Sequence, residues 1–116
     1  MTTIGAIYEF LDEMPPFSRQ MVWDNSGLLV GSPEDEVERV VLALDATGPV
    51  VEEAAQKGVQ LILSHHPVIF HPLKKVERGT PVYEAIRRGV GILCAHTNLD
   101  LAEGGVNDAL AEMLSL

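Results

Sequence analysis

Leu61-Ile62-Leu63-Ser64-His65-His66-Pro67 is an apolar run that ends in two histidines and a proline. Its apolar residues predict a short buried strand running out of a core, with the histidine pair where the strand stops. About thirty residues later, Gly91-Ile-Leu-Cys-Ala-His-Thr-Asn-Leu-Asp100 repeats the arrangement, delivering His96 and then Asp100. As parallel neighbours, the two strands bring His65, His66, His96 and Asp100 to one edge of one sheet. We read that edge as a metal site.

The flanking pattern supports parallel pairing. An apolar run Val40 to Leu44, a helical stretch Val50 to Lys57 closed by Gly58, and the run Val59 to Leu63 form a strand, helix, strand unit. A second unit follows: Thr80-Pro81 suits an N-cap and first helical position, Gly89 a stop, and Val90 to Ala95 another strand. Upstream, Ile4, Ile7, Leu11 and Met14 recur at helical spacing, with Thr2 or Thr3 as N-cap and Pro15-Pro16 as the stop. Trp23 to Gly31 reads as a loop leading into a short strand, and Glu34 to Glu38 as a solvated turn. Val106, Ala109, Leu110, Met113 and Leu114 mark an amphipathic closing helix.

Such alternation predicts an α/β fold with a mostly parallel sheet, helices on both faces and right-handed crossovers. Ligands of such sheets bind outside the carboxyl ends of the strands. Asp45, the His65-His66 pair and the segment His96 to Asp100 then face one crevice.

Composition limits what that crevice can serve. The chain has 116 residues, 47% of them hydrophobic, enough for one domain with its own core. A formal charge of -9 with only eight Lys and Arg argues against sequence-independent nucleic-acid binding. One cysteine, Cys94, excludes an intramolecular disulfide and fits a reducing compartment. The N-terminus lacks the basic flank and apolar centre of a signal peptide, and no apolar run approaches membrane-spanning length, so a cytoplasmic location is expected.

Each candidate residue also has a plainer role. Adjacent histidines on an extended backbone point to opposite faces, so a single ion is an awkward fit for both, a difficulty that two ions or a twisting strand end removes. Asp100 suits turn capping, Asp45 capping of the following helix, and His96 a place beside the metal rather than on it. His71 reads as exposed, Trp23 as packing, and Cys94 as a small core residue. Imidazole and carboxylate donors without thiolate suit zinc, iron, manganese or nickel. Such a centre activates water, which makes hydrolysis the natural reaction class. Phosphate-loop, nucleophile-elbow and paired-cysteine motifs are absent.

Trp23-Asp-Asn-Ser-Gly-Leu-Leu-Val-Gly31, Ser64-His-His-Pro-Val-Ile-Phe70, and His96-Thr-Asn-Leu-Asp100 with Gly104-Gly-Val-Asn-Asp108 together resemble the Nif-three-like family, the type 2 GTP cyclohydrolase I homologues. The resemblance runs from the first helix to the last. It implies an α/β fold, a dinuclear metal centre and a toroidal hexamer whose sites face an internal cavity. It implies His65, His66 and Asp100 as metal ligands, with His96 beside or within the site as a candidate proton carrier. The implied activity is a metal-dependent, GTP cyclohydrolase-like hydrolysis of a nucleotide or phosphorylated compound. The alternative is a non-catalytic metal-binding scaffold or regulatory protein.

The usual chain of that family is about twice as long, and its second part supplies a His and a Glu about one helical turn apart. No His-x-x-x-Glu pair occurs in the present sequence. We therefore read residues 1–116 as a single α/β domain corresponding to the N-terminal half of the family fold. An uncovered apolar surface, and hence self-association, is expected where a second half would pack.

Overall fold

A computed structural model describes all 116 residues. Three strands, β4 (Val40–Ala43), β5 (Leu61–Ser64) and β6 (Gly91–Cys94), lie parallel in the spatial order β4, β5, β6. Strand β2 (Gly27–Val30) pairs antiparallel with β6 along the other edge, with its register shifting between Leu28 and Val30. The sheet is thus mixed rather than uniformly parallel. Two further residues pairs form a separate antiparallel ribbon, β1 (Thr2–Thr3) with β3 (Glu36–Val37). The acidic stretch read as a solvated turn therefore contains a strand, because Val37 is buried beside the first helix.

Both crossover helices form, the first of them starting two residues before the expected Val50. Thr47 accepts from Val50 N and Pro49 sits in the first turn of α2 (Gly48–Gln56). Thr80 does the same for Tyr83 N at the start of α3 (Pro81–Arg88), which ends on Gly89 in the left-handed conformation. Asp45 is not the cap of α2, since Thr47 occupies that position. Helix α1 (Ile4–Asp12) is capped by Thr3 and stops before Met14, which is exposed.

Alternation along the central strands sorts the core into two layers. Ile62 and Ile92 pack with Val51 and Ala54 of α2 and Val82 and Ala85 of α3. On the opposite face Leu61 and Leu93 pack with Ile4 of α1, Phe17 and Val37. Coverage of that second face is incomplete, because Val40, Leu42 and the following Leu44 are 41%, 76% and 62% exposed. The closing helix α5 (Val106–Met113) forms as expected, but none of its residues is buried, so its apolar side lies open.

Candidate metal centre

The carboxyl ends of β4, β5 and β6 carry Asp45, the His65-His66 pair and His96 respectively. Pairing continues just past the strands, with His65 N donating to Ala43 O at 3.2 Å and His66 N to Leu44 O at 3.0 Å. The chain then bends at the pair, and Ser64 Oγ donates to the His66 carbonyl at 2.9 Å. The bend defeats the strict alternation of an extended strand. The two rings come together with centroids 5.3 Å apart.

His96 closes the group, its ring 5.2 Å from that of His65 and 5.5 Å from that of His66. One ring nitrogen from each of His65, His66 and His96 lies within 4.8 Å of the others, so this cluster can hold a metal ion. Asp100 joins through His65, with Oδ1 3.2 Å from Nε2. It reaches there because Thr97–Asp100 forms one turn of helix, α4, so Asp100 ends a helical turn rather than capping one.

Each imidazole is oriented through its Nδ1. His65 Nδ1 lies 2.8 Å from Ala95 O, His66 Nδ1 2.8 Å from Asp45 Oδ1, and His96 Nδ1 2.9 Å from Asp24 Oδ1. An oxygen acceptor at Nδ1 fixes the proton there and leaves Nε2 with its lone pair, the arrangement that supports metal-bound histidine. With His65 in that tautomer, Nε2 and Asp100 Oδ1 are two acceptors at close range. A proton or a metal cation between them resolves the conflict, and together with the three clustered ring nitrogens the donor set fits a divalent metal.

Asp24 is the site residue that the sequence conceals, because it stands among turn-forming residues and reads as one of them. Its side chain is completely shielded from solvent. Burial by itself raises a carboxyl pKa. Here hydrogen bonds from the His96 ring, the Thr97 hydroxyl and the backbone N–H groups of Thr97 and Asn25 outweigh burial and hold Asp24 well below the usual range.

Cys94 is fully buried and donates through Sγ to His65 O at 3.2 Å. Burial first, then the nearby Asp24 charge, push its thiol up to about 12 against the pull of Ser64, which leaves no thiolate for chemistry. His71 is exposed, as its polar loop suggests. Trp23 is not packing: it is 57% exposed, tilted against the half-exposed Phe70 at 6.0 Å and edge-on to His96 at 6.5 Å. Beside His65 a groove of about 490 Å³ is lined mainly by Leu11, Leu42, Leu44, Leu63 and Leu99.

The family model described as Duf34/NIF3 (NGG1p interacting factor 3) matches residues 2–116. The chain belongs to that family. A GTP cyclohydrolase 1 type 2 homolog of Halalkalibacterium halodurans is 39% identical over 114 residues, which cover 95% of this chain and 31% of the relative. A crystal structure of a Staphylococcus aureus hypothetical protein superposes with a TM-score of 0.92 at 38% identity, covering 99% of this chain and 34% of that one. A Bacillus cereus protein related to NIF3 superposes with a TM-score of 0.90 at 40% identity, covering 98% and 32%. The Duf34/NIF3 chain described here therefore spans about a third of the length of these relatives. No helix in it is long and apolar enough to cross a membrane.

Proposed function

We propose that this Duf34/NIF3 protein is a dinuclear, metal-dependent hydrolase acting on a nucleotide or another phosphorylated small molecule. His65, His66 and Asp100 are its metal ligands and His96 the proton carrier beside them. The supporting observation is the set of three imidazoles held by oxygen acceptors at Nδ1, with a carboxylate against one Nε2. The name that the relatives carry, GTP cyclohydrolase 1 type 2 homolog, supports a nucleotide substrate.

Bound divalent ions supply Lewis acidity and lower the pKa of a coordinated water. The chain's own residues supply placement. Ala95 and Asp45 fix the rings of His65 and His66, and α4 carries Asp100 against His65, offsetting cationic charge. His96, within one ring of both, accepts or returns a proton at Nε2. The exposed Trp23 and Phe70 border the same mouth.

Three ligand side chains are few for two ions. Further ligands of the His-x-x-x-Glu kind come, in this reading, from additional chain of the sort the relatives possess or from a neighbouring molecule. The relatives' extra length supports this, and so does the uncovered face of β4 beside the site. That face also supports self-association.

The test is turnover. GTP hydrolysis, followed by product chromatography, is expected to fall about 100-fold or more in His65→Ala and in Asp100→Ala. Undiminished turnover in both variants would refute the assignment.

A further inference from the structure

The motif Trp23-Asp-Asn-Ser26 supplies no metal ligand, yet it is tied to both loops of the site. Asn25 Nδ2 donates to Ile69 O at 2.7 Å, beyond the His65-His66 pair. His96 N donates to Ser26 Oγ at 3.1 Å, and Met21 N to Thr97 Oγ1 at 2.8 Å. At the centre lies Asp24, whose side chain is wholly shielded and divides its two oxygens between two tasks.

Oδ2 accepts from Thr97 N at 3.0 Å, Thr97 Oγ1 at 2.5 Å and Ser26 Oγ at 3.3 Å, serving the start of α4. Oδ1 accepts from Asn25 N at 2.8 Å and lies 2.9 Å from His96 Nδ1. We propose that Asp24 is a positioning residue for His96: it keeps the proton of the neutral ring on Nδ1 and so presents an unprotonated Nε2 to the His65-His66 pair. An ionised carboxylate only accepts hydrogen bonds, so the nitrogen facing it must carry hydrogen. The other nitrogen of a neutral imidazole then has the lone pair, whether it meets a metal ion or a substrate proton.

A merely structural role would make Asp24 a cap for α4 and nothing more. The two roles separate in Asp24→Asn, because an amide has one oxygen. Three donors, Thr97 N, Thr97 Oγ1 and Ser26 Oγ, hold the amide oxygen on the α4 side against the single Asn25 N on the other, and the NH2 group turns to His96. That amide donates to Nδ1, and the ring proton moves to Nε2. The ring then shows hydrogen, not a lone pair, to the centre.

The significance for metal or proton handling rests on the proposed function; the tautomer itself does not. The experiment is long-range proton–nitrogen correlation on histidine-labelled, metal-free protein, at a pH well above the ordinary imidazole range. His96→Gln identifies the signals. Wild type is expected to show His96 with Nδ1 protonated and Nε2 bare, and Asp24→Asn the reverse. Thr97→Val, which strips a hydroxyl from the same carboxylate, is expected to keep the wild-type pattern. A bare Nδ1 in wild type, or an unchanged pattern in Asp24→Asn, overturns the proposal. The predicted tautomer exchange in a protein that takes up no zinc would uphold the role of Asp24 and dismiss the metal reading.

Discussion

Gly105→Ala is expected to destabilise the protein by roughly 3 kcal/mol or more and to abolish metal uptake at the proposed centre in the same step. The backbone at Gly105 is extended and open to any residue, so the reason is contact rather than conformation. A Cβ there would run into the carbonyl oxygen of Leu99 and stand 2.9 Å from Ala102 O and 3.2 Å from Ala102 Cβ. Those atoms belong to α4 and the turn that closes it, and a flexible side chain is not among the nearest obstacles. Relief requires α4 to move, and α4 holds Asp100 3.2 Å from His65 Nε2. The neighbouring Gly104 separates the two effects. It has φ +73° with open space around it, so Gly104→Ala costs about 1–2 kcal/mol of left-handed strain and leaves the metal in place. Thermal unfolding and metal content of both variants check this, and Gly105→Ala with wild-type values of either would contradict it.

The second large effect concerns association. Leu42 and Leu44 are 76% and 62% exposed on the open side of the sheet, and both line the groove beside His65. Burying one leucine contributes about 1.5–3 kcal/mol, so losing both from an interface removes roughly 3–6 kcal/mol, or about a hundredfold to ten-thousandfold in association. Leu42→Glu with Leu44→Glu adds the desolvation of two carboxylates. The double variant is expected to fall to the mass of a single chain in light scattering while its secondary structure is retained. Mass per particle equal to that of wild type would show that these residues lie outside any self-contact.

The parallel strands are readable in the sequence because they are buried on both faces. Leu61, Ile62, Ile92 and Leu93 are all at 0% exposure, and a doubly covered strand reads as an uninterrupted apolar run. Helix α3 is readable from its start, where Thr80-Pro81 carries a capping hydroxyl and a first-turn proline, whereas the start of α2 is missed because Thr47, not the more conspicuous Asp45, holds the cap. Direction is not encoded in four apolar residues, so nothing in Gly27–Val30 announces an antiparallel edge strand. Helix α4 is a single turn and β3 only two residues, both shorter than any periodicity can show.

The site follows the same logic. His65, His66, His96 and Asp100 are legible because strand ends deliver them, whereas Asp24 comes from a loop whose composition signals a turn. Its function depends on a contact with a residue 72 positions away. Trp23 misleads for a related reason: its size favours burial, and only the folded surface shows it exposed at the mouth of the site.

The most direct test of metal binding is elemental analysis of the protein as purified, beside a His65→Ala, Asp100→Ala double variant, with mass per particle measured in parallel. About two divalent ions per chain in wild type and essentially none in the variant is the expected result for a dinuclear centre. Metal absent from both proteins, or present equally in both, would contradict the assignment of His65 and Asp100 as ligands.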